Sequence, residues 1–155
     1  TVNKAARVLG ALGVDYLTLH ARGGVDMLAA GVEGLLEGAE GAGLPVPTAL
    51  AVTVLTSDDA APAHIVPNRV RDAVEGGCAG LVLAAEDLQT ARELAPRLKR
   101  VVPGIRLPGD RLHDQSRVAS PQEAAANGAD LLVIGRSVTA ADSPTEAAAA
   151  VAASI

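Results

Sequence analysis

The sequence contains no phenylalanine, no tryptophan and a single tyrosine, Tyr16. It therefore lacks the aromatic faces on which proteins stack the bases of single-stranded nucleic acid. One cysteine, Cys78, excludes an internal disulfide and a cysteine cluster for zinc, which fits a reducing compartment. Lysine and arginine are scattered and the formal net charge is -5, so no basic patch marks the chain for DNA, RNA or an anionic membrane. No apolar run approaches the roughly 20 residues of a membrane span, and the first residues lack the charged-then-apolar order of a signal peptide. The expected location is the cytoplasm, and any anion site must be local.

Chemistry that depends on bound groups finds little support. The three histidines, His20, His64 and His113, are far apart and have no carboxylates at metal-ligand spacing. Neither a GxGxxG fingerprint nor a Walker loop is present. The expectation is a protein that works without metal or cofactor.

What the chain does have is aliphatic residues, 49% apolar over 155 positions, enough for the core of one ordinary domain. Short aliphatic runs alternate with longer Ala-rich amphipathic stretches, the pattern of repeated βα units around a parallel sheet. Strands are expected at 14–20, 48–55, 80–84, 100–105 and 130–135. Helices are expected at about 2–12, 25–42, 65–76, 87–99, 121–127 and 143–153. Three strands are introduced by the same phrase, a helix ending in glycine: "LGVDYLTLH", "GGCAGLVLA" and "NGADLLVIG". A glycine just past a helix accepts the left-handed conformation that terminates it, so these are αβ turns.

The segments after the strands carry the polar and unusual residues. In parallel α/β folds ligands bind at the carboxyl ends of strands, so one rim is expected to hold the chemistry. Gly135 and Arg136 follow the last strand and precede "SVTAADSP", which reads as a loop into a helix capped by Ser143 with Pro144 at its first position. Glycine permits close backbone approach and a guanidinium offers a planar fork for phosphate oxygens. The same pair also fits a surface arginine after a strand end. The segment 106–124 is a long charged loop that contains Gly109, a binding loop or an excursion from the fold, and Ser120, Pro121 and Glu123 begin the next helix. Thr56 and Ser57 stand after a strand, where hydroxyls could meet a polar ring or ribose, or where Ser57 or Asp58 could cap a helix. His20 could act as acid or base, although a lone histidine is more often structural. Asp15 and Asp130 belong to turns at the opposite rim, and Cys78 to an αβ turn.

The phrases "TVNKAA", "GVDYLTLHARGG", "ALAVTVLTS", "VVPGIRLPG" and "DQSRVASPQEAAANGADLLVIGRSVTAADSP" span nearly the whole chain. On these the sequence resembles the carboxyl-terminal two-thirds of bacterial orotidine 5'-phosphate decarboxylases. The resemblance implies an α/β fold, a (β/α)8 TIM barrel of which residues 1–155 supply strands four to eight as a single partial domain. It implies a carboxy-lyase that converts orotidine 5'-monophosphate to UMP in pyrimidine biosynthesis without a cofactor, usually as a homodimer. Thr1, Thr56, Arg106, Gln115, Gly135 and Arg136 match substrate-binding positions, with Arg136 as the phosphate arginine and Gln115 bridging phosphate and pyrimidine. Thr1 belongs to a stretch that reaches across the dimer interface. The family's Asp-x-Lys-x-x-Asp phrase is expected just ahead of Thr1, together with strands one to three, so no catalytic residue is expected among residues 1–155. Lys4 and Lys99, expected on outward helix faces, do not replace the family's lysine. Two other readings stand beside this one: another sugar-phosphate lyase or aldolase of the same superfamily, and a non-catalytic phosphate-binding half-barrel.

Overall fold

Five parallel strands lie side by side in chain order in the computed structural model, which describes residues 1–55, 61–107 and 117–155. They are β1 (Tyr16–His20), β2 (Thr48–Val52), β3 (Gly80–Val82), β4 (Lys99–Val102) and β5 (Leu131–Leu132). The helices are α1 (Val2–Gly10), α2 (Val25–Ala42), α3 (Ile65–Glu75), α4 (Leu88–Leu94), α5 (Pro121–Ala126), α6 (Arg136–Thr139) and α7 (Pro144–Ala152). Short 3₁₀ turns at Ala21–Gly23 and Ala85–Asp87 follow β1 and β3. Each strand pairs with the next in sequence and the order never reverses. A doubly wound sheet reverses at its switch point, so this walk in one direction is the topology of a barrel.

The expected helix starts are matched within a residue or two, and the glycine turns have the predicted geometry. Gly13, Gly77 and Gly128 all have positive φ, at 73°, 76° and 94°. The ladders are shorter than the aliphatic runs because single backbone bonds extend the strands at the rim. Thr53 donates to the Val82 carbonyl at 3.0 Å, Leu83 to Val101 at 3.1 Å and Val133 to Val102 at 2.9 Å.

One expectation fails clearly. Lys99 is not on a helix but opens β4, because α4 stops at Leu94. Pro96 disfavours helical backbone at the residue before it, and Ala95 sits at φ -142°, ψ 62°. Lys99 Nζ donates to the Tyr16 hydroxyl at 3.2 Å and lies 5.3 Å from its ring centroid. Both residues begin their strands, so this contact lies at the amino-terminal rim.

Register assigns the two faces of the sheet. Thr18, Leu50, Gly80 and Lys99 form one row, and His20, Val52, Val82, Val101 and Leu131 the row above it. Alternation puts these on one face and Leu19, Ala51, Leu81 and Val102 on the other, under the helices. The first face is buried at its centre, at Leu50, Val52 and Val101, and open at its margins. Tyr16 is 42% exposed, Leu131 38% and Val133 50%.

α1 and α2 meet backbone to backbone. A Cβ at Gly34 would lie 2.2 Å from the Asn3 carbonyl oxygen, and one at Gly38 2.0 Å from that of Arg7. This approach seats α1 so that the chain returns directly into β1, which leaves Thr1 at the same rim as the strands' carboxyl ends.

Candidate functional site

The rim is built from the segments that leave β1, β3, β4 and β5. After β1, the Arg69 guanidinium of α3 donates to the Ala21 carbonyl at 3.0 Å and ties down the 3₁₀ turn; His20 is exposed just before it. After β4, Pro103 and the left-handed Gly104 (φ 76°) interrupt the ladder, and a lone parallel bridge resumes between Ile105 and Ala119. The Arg106 N–H donates to the Ala119 carbonyl at 2.9 Å, and its Nη1 donates to the Ile105 carbonyl at 2.8 Å. Arg106 is thereby held half-buried at the end of β4.

After β5 the structure corrects the sequence reading. Arg136 is not in a loop but is the first residue of α6, with Gly135 as its N-cap residue. Val138 and Thr139 both donate to the Gly135 carbonyl, at 2.9 and 3.0 Å. Four residues are too short a stretch to show helical periodicity. Gly135 and Arg136 are exposed, and a Cβ at Gly135 would meet nothing within 4 Å. The next residue, Ser137, donates from Oγ to the Ile105 carbonyl at 3.4 Å. That oxygen therefore links the segment holding Arg106 to the helix that begins with Arg136.

Ser120 accepts from the Glu123 N–H at 3.2 Å, and Glu123 Oε2 accepts from the Ser120 N–H at 2.9 Å, the expected capping box of α5. These bonds to Ser120 hold the Glu123 carboxyl below its ordinary pKa. Ser143 and Pro144 take the N-cap and first positions of α7 as expected, although the Ser143 side chain makes no cap bond. Thr1 is exposed as the N-cap residue of α1, and its carbonyl accepts from the Ala5 N–H at 3.2 Å. Thr56, Ser57, Asp58, Gln115 and the centre of the 106–124 loop lie outside the described residues.

Asp15 and Asp130 belong to the opposite rim, as expected. Asp130 accepts from the Arg100 backbone N–H at 2.7 Å and from its guanidinium at 2.9 and 3.1 Å, and these side-chain bonds hold its carboxyl below its ordinary pKa. Cys78 is buried, which pushes its thiol up to about 11 and leaves it a poor nucleophile. Among the described residues no group of three histidine, cysteine or acidic side chains could hold a metal ion, and no helix is long and apolar enough to cross a membrane.

Sequence reasoning missed one cluster at the rim. Arg117 donates through Nε to Glu86 and through Nη2 to Asp87, joining the end of the long loop to the turn after β3. Glu86 and Asp87 are adjacent and Arg117 lies about thirty positions away, so no local pattern signals the contact.

This arrangement defines a class: a parallel β/α barrel with arginines placed just beyond the carboxyl ends of the adjacent strands β4 and β5. The chain belongs to the orotidine 5'-phosphate decarboxylase / HUMPS family, whose model matches residues 1–151. It is 41% identical over 167 aligned residues to orotidine 5'-phosphate decarboxylase of Moorella thermoacetica, covering all of this chain and 66% of that protein. It is 42% identical to the Thermobifida fusca protein of the same name, over 166 residues and 67% of its length. The crystal structure of the Lactobacillus acidophilus decarboxylase superposes with a TM-score of 0.82 at 30% identity, covering 99% of this chain and 68% of that one. The Sulfolobus solfataricus enzyme, at 19% identity and a TM-score of 0.67, supports the fold alone. The chain thus spans about two-thirds of the length of these relatives, and its five βα units are consecutive units of a (β/α)8 barrel.

Proposed function

We propose that residues 1–155 form the phosphate- and nucleotide-binding part of an orotidine 5'-phosphate decarboxylase, which converts orotidine 5'-monophosphate to UMP and carbon dioxide. The observation that carries this reading is the placement of Arg106 and Gly135–Arg136 just beyond the carboxyl ends of the adjacent strands β4 and β5, whose following segments are joined by the hydrogen bond from Ser137 to the Ile105 carbonyl. Two guanidiniums supply charge-assisted bonds to phosphate oxygens, and the open space above Gly135 lets a phosphate approach the backbone. Thr56 and Gln115 are assigned to the nucleoside and to the link between phosphate and pyrimidine.

In this mechanism binding energy at the phosphate, remote from the bond that breaks, holds the pyrimidine where its carboxylate leaves. No described lysine suits protonation of C6. Lys4 is on the exposed face of α1, and Lys99 is at the opposite rim on the Tyr16 hydroxyl. The proton donor is assigned to the Asp-x-Lys-x-x-Asp phrase expected ahead of Thr1. The same reading places the enzyme in the cytoplasm as a homodimer, with Thr1 near the partner.

The test is turnover of orotidine 5'-monophosphate by the full-length protein, followed by loss of the orotate chromophore. Robust conversion supports the reading. Turnover of a sugar phosphate in its place would favour another lyase or aldolase of the same superfamily, and nucleotide binding without turnover would favour a non-catalytic role. Arg136→Ala should lower kcat/KM roughly ten- to a hundredfold, the value of one or two charge-assisted hydrogen bonds; an unchanged value sinks the assignment of this arginine.

A further inference from the structure

Among the described residues, Arg117 and Asp87 are the two most buried ion-paired side chains at the rim, and the proposed reaction leaves them without a task. Only 11% of the Arg117 side chain and 13% of the Asp87 side chain are exposed, whereas Glu86 is largely in solvent. Burial pushes the Asp87 carboxyl above its ordinary pKa against the pull of Arg117. Removing this pair from water is therefore electrostatically costly, and a buried pair is weak evidence for stability. Its consequence is geometric: the planar guanidinium fork reaches two neighbouring carboxylates and fixes the backbone that carries it.

The backbone it fixes leads to both phosphate arginines. Two residues beyond Arg117, Ala119 donates to the Gly104 carbonyl at 3.2 Å and accepts from the Arg106 N–H at 2.9 Å. The intervening Ile105 carbonyl accepts from Arg106 Nη1 and from Ser137 Oγ. Contacts run without a gap from the turn after β3, through Arg117 and Ala119, to Arg106 and then to the residue beside Arg136.

We propose that the Arg117 ion pair with Asp87 and Glu86 is a positioning element for the phosphate site. It holds the 117–119 segment against the end of β4 and so sets where Arg106 and Arg136 meet the phosphate oxygens. The inference rests on the reading of those two arginines as phosphate ligands. Arg117 does not touch substrate in this scheme; it acts through the Ala119–Arg106 bridge.

The experiment compares UMP and uridine binding by calorimetry in the full-length protein, for the wild type and for Asp87→Asn, Glu86→Gln and Arg136→Ala. Asp87→Asn preserves shape and removes the charge. It should weaken UMP about tenfold or more, as a small misplacement of a binding group does, while leaving uridine affinity near wild type. Equal weakening of UMP and uridine, or unchanged UMP affinity, overturns the positioning role. Should Asp87→Asn fail to fold, Glu86→Gln probes the solvent-facing half of the same contact, and an unchanged UMP-to-uridine ratio there overturns it as well. Arg136→Ala separates the two levels. If it abolishes the preference for UMP while the ion-pair variants keep it, only the positioning role fails. If it too keeps the preference, the phosphate reading fails and takes the inference with it.

Discussion

Arg106 and Arg136 have different tasks despite their shared rim. Arg106 is half-buried and part of its guanidinium is occupied by the Ile105 carbonyl, whereas Arg136 stands exposed at the start of α6. Arg106→Ala is therefore expected to disturb the rim backbone as well as the charge. Its effect on kcat/KM should match that of Arg136→Ala or exceed it. Because the two residues are coupled through Ile105 and Ser137, the double variant should lose less than the product of the single losses. Steady-state kinetics on the full-length protein read both effects, and strict multiplicativity would show that the arginines act independently. Arg136 was legible as a candidate because glycine and arginine after an aliphatic run are unusual neighbours. Arg117 was not, because its partners are distant in sequence and its burial is a property of the fold.

At the scale of elements, the α1–α2 contact is the tightest feature. Gly38→Ala places a methyl group 2.0 Å from the Arg7 carbonyl oxygen, a backbone atom that cannot rotate aside. Overpacking of this kind costs about 1–3 kcal/mol, partly offset by alanine's better helix propensity. Denaturant unfolding should show a net loss of stability, whereas Gly41→Ala on the same helix, with nothing within 4 Å, should be neutral or stabilising. Equal behaviour of the two variants would refute the backbone contact. No local pattern tells which helix the glycines of α2 face. For α4 the sequence reading runs the helix over 87–99, through Pro96, and the observed stop at Leu94 puts Lys99 at the start of β4. α6 escaped notice because a single turn carries no period.

For the whole molecule, acid sensitivity follows from two groups whose pKa is held low. Asp130 is held low first by its side-chain bonds to Arg100, and Glu123 first by the backbone N–H of Ser120. A carboxylate with a depressed folded-state pKa contributes stability above its unfolded pKa and loses it as pH falls through the folded one. The melting midpoint should therefore drop on acidification below the ordinary carboxylate range. Asp130→Asn should start lower near neutrality and decline less steeply with acid; a parallel decline would remove Asp130 from the account. The sheet poses a second question at this scale, since Tyr16, Leu131 and Val133 stand exposed at the margins of its inner face. A closed (β/α)8 barrel covers such positions with the remaining strands of the cylinder.

The sequence by itself determined the alternation of strands and helices, the glycine turns, the capping box at Ser120 and the shortlist of rim residues. These depend on neighbours a few positions apart, whose backbone preferences and periodicities are local. Only the tertiary structure decided that Lys99 opens β4 at the rim opposite Arg106 and Arg136, and that Arg117 ties the turn after β3 to the end of β4. Each of these depends on residues tens of positions apart, brought together when the sheet curves and its loops pack, and no local preference encodes that meeting.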